Sequence, residues 1–497
     1  MKLNHITRRA FAQSAVALTA IVLSSFATIS AEEQPIPKPG GKPADMSKPV
    51  QVFILLGQSN MVGMGAISGG SSRWGKEFTE PVVSVYPGAY DPKADYDALK
   101  PEKTLKLQNF GGTEPTPYPG GGTQVVRGFI QPAQTGLYEF NPGYGASEQN
   151  IMVVNGVEVH RQEPGGKAIK KSVKLTAEEK VPFKITYFTE HAGGLGWMIR
   201  MDVPGTLNTL VREQGKYRYL LDDAGNWAVR QDVRFVRYMS GQGPLNNEWM
   251  GIKGGTIGPE HGIGHAVGNA IDAPVMILKC CIGNRSLAWD LLPPGSARFV
   301  ENGKVYAGYK DKPPFWDADP AKGVATEPPQ WLDKNGKPIE WWAGLQYDAD
   351  IGDAKKALAD LAKHYPDAKK YEVAGFFFWQ GEKDGGHPVH AAHYEKNLVN
   401  FIKALRKDFH APNAKFVLGT IGDAVKGSGD KVLEGQLAVD GNSGKYPEFK
   451  GSVATVYTHP MAQGGSGNGH YNKNAEVYMD VGEAMGKAMT ELLKETK

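Results

Sequence analysis

Short, dominantly apolar runs at residues 50–56, 275–281, 373–379 and 416–421, with a fifth at 453–457, constrain the fold of this chain most. A strand that is apolar at nearly every position is covered on both faces, and such strands build parallel sheets. Helical patterns at 261–271, 350–364, 391–408 and 475–493 lie between or after the runs. Strands alternating with helices predict an α/β fold around a doubly wound parallel sheet. Ligands of such sheets bind beyond the carboxyl ends of the strands. Most of the polar motifs in this sequence fall there.

Residues 109–214 break the alternation. No amphipathic helix is legible in this stretch, but several alternating segments with glycine-rich turns are. Gly136-Leu137-Tyr138-Glu139-Phe140 leads through a loop to an apolar arm, Ile151-Met152-Val153-Val154. Asn155-Gly156 and Val157-Glu158-Val159 follow, and an Asn-Gly pair between β-rich arms is a strong hairpin signal. Further segments at 171–175, 183–188 and 197–201 complete an all-β module, with the Pro- and Gly-rich stretch 109–122 as the linker into it. The expected order is a signal peptide at 1–31, a leader at 32–48 and the first part of the α/β domain at 49–108. The β insert at 109–214 and the rest of the α/β domain at 215–497 follow.

Arg8 and Arg9 precede an apolar stretch at 15–27, and Ala31 offers a small residue for cleavage, so export is expected. Thr7-Arg8-Arg9-Ala10-Phe11 also fits a twin-arginine signal. The apolar stretch is shorter than the roughly 20 residues of a membrane span. The mature chain is therefore expected to be exported, periplasmic or extracellular, with no membrane span. A formal charge of +3 without a Lys/Arg-rich block gives no sign of a nucleic-acid partner. The two cysteines, Cys280 and Cys281, are adjacent, which opposes a disulfide between them; both read as strand residues.

The first apolar run opens into Gly57-Gln58-Ser59-Asn60-Met61. A serine at a strand's carboxyl end can hold its hydroxyl in a cleft while backbone N–H groups face a substrate oxygen. The second run ends in Gly283-Asn284-Arg285-Ser286-Leu287, where a glycine lets its N–H approach a developing oxyanion. The third ends in Trp379-Gln380-Gly381-Glu382-Lys383-Asp384. There Gln380 can donate to the same oxyanion, and Glu382 or Asp384 can hold a histidine in the proton-accepting tautomer. Near the carboxyl terminus His470, in Gly467-Asn468-Gly469-His470-Tyr471, precedes the last helix and is the expected base. His459 is its rival.

This ordered set resembles the SGNH hydrolase superfamily, in particular its sialate O-acetylesterase and carbohydrate esterase branch. Gly57 to Met61 is similar to the nucleophile block, Gly258-Pro259-Glu260 to the segment before the first large helix, and Gly283 to Leu287 to the oxyanion glycine block. Trp379 to Glu382 is similar to the third block and His470 to the histidine block. The resemblance implies a flavodoxin-like three-layer α/β/α fold and removal of acetyl groups from carbohydrate. It implies Ser59 as nucleophile and His470 as base. The implied oxyanion hole is the N–H groups of Ser59 and Gly283 with the Gln380 side chain. The aspartate that many members carry three residues before the histidine is replaced by Gly467. Either Glu382 supplies the carboxylate, which is the preferred assignment, or a Ser–His dyad works with a backbone carbonyl orienting the imidazole.

The insert resembles a PA14-like β-sandwich in its Gly-x-Tyr-x-Phe start and its hairpin. The aspartate pair that binds calcium and sugar in that family is absent from Ser147-Glu148-Gln149-Asn150. A sugar-binding role and a spacer role both stay open for it. Asn284, Trp379 and Asp384 are expected to touch substrate, and Trp289, Trp341 and Trp342 either stack on sugar rings or belong to the core. His387, His390 and His393 lack acidic or cysteine partners at ligand spacing and read as solvated surface. Neither a metal nor a cofactor is expected. The resemblance implies an acetylated glycan as substrate, such as acetylated sialic acid, xylan or another glycan ester. A non-catalytic carbohydrate-binding protein and a lipase or thioesterase are the alternatives.

Overall fold

The apolar runs become neighbouring strands of one sheet. A computed structural model describes residues 43–495 apart from 70, 74–76, 107–121, 143–148, 190–196, 241–242 and 463–466. The signal segment, most of the leader, nearly all of the expected linker and Ser147-Glu148 thus lie outside the described residues. The strands are β1 (Val50–Gly57), β2 (Val229–Met239), β3 (Gly243–Gly251), β4 (Val275–Cys280), β5 (Tyr371–Trp379), β6 (Lys415–Gly419) and β7 (Val453–Val456). Their order is β3-β2-β4-β1-β5-β6-β7. Neighbours are parallel, except that the edge strand β3 runs antiparallel to β2. β1 therefore lies centrally, with β4 on one side and β5 on the other, and the chain changes direction across the sheet beside it.

Alternate residues of β1 serve two different cores, which explains why the run is apolar throughout. Val52, Ile54 and Leu56 join one core with helices α2 (Leu345–Ala359), α3 (Pro388–Asp408) and α4 (Lys431–Ala438). Phe53 and Leu55 join the other with α1 (Glu260–Ala270) and α5 (Ala475–Lys494). α1 and α5 cross at glycines. A Cβ on Gly482 would collide with the Pro259 carbonyl, and one on Gly262 with the Gly482–Glu483 peptide. The last part of the pattern at 350–364 is a separate turn, Leu361–His364. Among the described residues no helix is long and apolar enough to cross a membrane.

The β module is two sheets sharing one core, in which Val83, Val126, Phe140, Met152, Ile185 and Met198 meet. It begins earlier than expected. Ser71–Arg73, Phe78–Pro87 and Lys103–Lys106 all pair within its sheets, so the boundary drawn at 109 is corrected to about 70. It also ends earlier, because Leu207, Leu210 and Val211 already pack in the α/β core. A Cβ on Gly69 would strike the Arg200 carbonyl and the Val203 side chain, so the two crossings of the chain into and out of the module lie side by side.

Candidate active site

Ser59 follows the end of β1 and opens the one-turn helix Ser59–Val62. As its first residue, Ser59 has a backbone N–H with no partner inside the helix. Gly57 sits at φ +147°, and a Cβ there would strike the Trp379 carbonyl, so glycine is required where β1 and β5 end side by side. The loop after β4 passes over the serine: a Cβ on Gly283 would lie 3.5 Å from Ser59 Cβ. The expected nucleophile and the expected oxyanion glycine therefore lie close together, with room for little more than a Cβ between them, although they are far apart in sequence.

Glu382, just after β5, grips the serine from both flanks. One carboxylate oxygen accepts from Asn60 Nδ2 at 2.7 Å and the other from Gln58 Nε2. Burial, opposed by these bonds, pushes its pKa up to about 7. Asn60 Oδ1 in turn accepts from the Tyr478 hydroxyl at 3.2 Å, and that hydroxyl also reaches the His470 carbonyl at 3.5 Å. His470 is thus tied to the residue next to Ser59 through one tyrosine. His470, Tyr471, Asn472 and Lys473 all hold left-handed backbone, φ +46° to +60°, a run that costs roughly 1–2 kcal/mol per residue. Among the described residues no hydrogen bond joins the His470 ring to Ser59 or to Glu382. The rival His459 bonds the Gly422 carbonyl through Nδ1 at 2.8 Å. It follows β7, three strands from β1, or about 14 Å at the usual spacing.

Three expected site residues have other duties. Gln380 is fully buried, and its Nε2 donates to the Arg285 carbonyl at 2.9 Å and to Asp384 Oδ2 at 2.6 Å. Both amide protons are engaged, so its side chain has none left for an oxyanion. Asp384 is also fully buried and accepts the N–H groups of Leu287 and Ala288 at 2.7 and 2.9 Å. It anchors the Gly283 loop to the end of β5 and does not reach substrate; burial lifts its pKa to about 6. Trp379 is a core residue without exposed surface, stacked on Tyr471 and bonded through Nε1 to the Thr420 carbonyl. Asn284 is placed differently from these three. It is exposed beside Gly283 and holds left-handed backbone at φ +57°.

The surroundings add Gln346 and Trp331 to the residues already singled out. Arg285 lies over the Trp341 ring at 5.1 Å and donates to Gln346 Oε1 at 2.9 Å. Trp289 meets Trp331 edge-on at 6.0 Å, so both tryptophans are partly packed against each other. The histidines at 387, 390 and 393 are not free surface: His387 stacks on His390, and His393 stacks on Phe299 and bonds Glu301. Among the described residues no group of three or more His, Cys, Asp or Glu is placed to hold a metal ion. Both cysteines are free and buried, and burial pushes the Cys281 thiol up to about 12.

Residues 333–491 match the model of a family described as carbohydrate esterase, sialic acid-specific acetylesterase. The matched stretch includes Glu382 and His470, while Ser59 and Gly283 precede it. Among solved structures, the chain is similar to a protein from Arabidopsis thaliana, at 15% identity and a TM-score of 0.33, over 53% of this chain and 87% of that one. It is similar to a carbohydrate acetylesterase from Xanthomonas citri, at 13% identity and a TM-score of 0.31, over 73% of this chain and 70% of that one. It is also similar to the PA14 domain of the antifreeze protein MpAFP, at 11% identity and a TM-score of 0.17, over 26% of this chain and 80% of that one. No curated protein matches the sequence.

Proposed function

We propose that the chain is an exported serine esterase that removes O-acetyl groups from carbohydrate, on a three-layer SGNH-type α/β/α domain with a PA14-like insert. The observation that carries this reading is the nearness of Gly283 to Ser59, with Glu382 clasping the residues on either side of the serine. Ser59 Oγ attacks the acetyl carbonyl and His470 accepts its proton. The backbone N–H groups of Ser59 and Gly283 stabilise the tetrahedral oxyanion, each well-placed donor being worth about 3–4 kcal/mol. His470 then protonates the leaving sugar hydroxyl, and water releases acetate. Glu382 acts on the histidine or, as its bonds favour, on the turn that carries the serine.

Acetate release from acetylated xylan or an acetylated sialic acid, compared between wild type and Ser59→Ala, tests the reading. Loss of release in a folded variant supports it. A carbohydrate-binding protein without turnover is the second reading, favoured by Gly467 at the usual acid position and by the lack of a Ser59–His470 bond among the described residues. No turnover of aryl acetate by wild type would decide for it.

A further inference from the structure

Strand β4 carries a lysine among apolar neighbours. Lys279 is 1% exposed and pairs in register with Leu55 of β1. Its ammonium donates to Glu260 Oε2 at 2.5 Å and to the Val62 carbonyl at 3.0 Å. The ring of Phe235 lies 5.5 Å from the same nitrogen. Val62 is the last residue of the one-turn helix that Ser59 opens, so the ammonium holds the far end of that turn.

Glu260 completes a second connection to the same turn. It is 4% exposed, and its other oxygen accepts the Gly258 N–H at 3.0 Å. Gly258 is the floor against which the turn ends: Gly63 sits at φ +104°, and a Cβ on it would come within 2.6 Å of Gly258 Cα. The lysine thus pulls on the carbonyl end of the turn, and the glutamate fixes the backbone beneath it. An ion pair this deep gains little stability over an apolar pair of similar volume, because both charges lose their water. Its geometry is the more specific contribution.

We propose that Lys279, held by Glu260, is a positioning residue that sets the orientation of Ser59 through the Val62 carbonyl. This rests on Ser59 being the nucleophile. Ser59 needs near-attack placement towards the acyl carbon, and a displacement of about 1 Å costs up to about a hundredfold in rate. The turn is short and opens on the substrate side, so a hold from below keeps it fixed while leaving the hydroxyl free. Glu382 holds its amino end through Gln58 and Asn60, and Lys279 its carboxyl end.

The test compares wild type with the charge-neutral double variant Glu260→Leu/Lys279→Met, chosen because replacing both partners leaves no unpaired buried charge. Thermal melting reports folding, the labelling rate of Ser59 by a fluorophosphonate reports nucleophile placement, and aryl acetate turnover gives kcat and KM. The expected result is a folded protein with KM within about twofold of wild type and with kcat and labelling rate both lowered about tenfold or more. A folded double variant with kcat and labelling rate within about twofold of wild type overturns the proposal. If the double variant does not fold, Glu260→Gln is read in the same assays against the same two results. Wild type that reacts with the probe at a residue other than Ser59 overturns the nucleophile assignment, and the proposal with it.

Discussion

Glu382 has both oxygens taken by amides and a pKa lifted by burial, with Asp423 adding to the rise. Its folded-state pKa lies above the ordinary carboxylate value, so its contribution to stability is greatest in acid and declines as pH rises through about 7. The ionised form, which the two amide donors favour, is gained over the same window. kcat/KM on aryl acetate should therefore climb through an apparent pKa near 7 in a scan from about pH 5 to about pH 9. Glu382→Gln should lower the plateau about tenfold or more and displace this limb. A limb that stays in place would assign the titration to another group. Asp384→Ala leaves two buried N–H groups without their acceptor, at about 1–3 kcal/mol each. Its urea midpoint should fall, and kcat with it, since the Gly283 loop loses its anchor. Which residues occur at the strand ends was readable from sequence; which way they point was not. Gln380, Asp384 and Trp379 are as polar or aromatic as a site requires, and only the packing reveals that they face inward.

Among the elements, the legible strands were those sealed on both faces, because burial leaves an unbroken apolar record. β2 and β3 left none. β2 reads Val-Arg-Gln-Asp-Val-Arg-Phe-Val-Arg-Tyr-Met, and its arginines at 230, 234 and 237 obscure a strand that is paired on both sides. Phe78–Pro87 was hidden likewise, by Thr79-Glu80-Pro81 after its first residue. Helices α1, α2, α3 and α5 were found to within about five residues, since one stripe of each is apolar and their ends carry ordinary caps such as Asn474 before α5, while the short α4 was not foreseen. The α1–α5 crossing makes a prediction of its own. Gly482→Ala should cost about 1–3 kcal/mol by overpacking against Pro259, read as a lowered urea midpoint with an unchanged slope. A neutral outcome would mean that the two helices separate without penalty.

For the whole molecule, the β module has a core of its own that shares no residue with either α/β core. Its two crossings meet at Gly69 and Arg200. Excising residues 71–200 and closing the gap with a short linker should leave aryl acetate turnover within about twofold of wild type. Loss of turnover on the small ester would show that the module supports the catalytic body itself. Unchanged turnover on acetylated polymer as well would reduce the module to a spacer.

The central place of β1 also governs how the protein is made. The ribosome delivers the serine's strand first, yet its partners β4 and β5 emerge only after the whole β module and much of the chain have followed. At roughly 5–20 residues per second, β1 waits tens of seconds as an unpaired apolar segment. Long-range parallel pairing of this kind is slow and prone to aggregation. Such a protein gains from completing its sheet while chaperones attend the nascent chain.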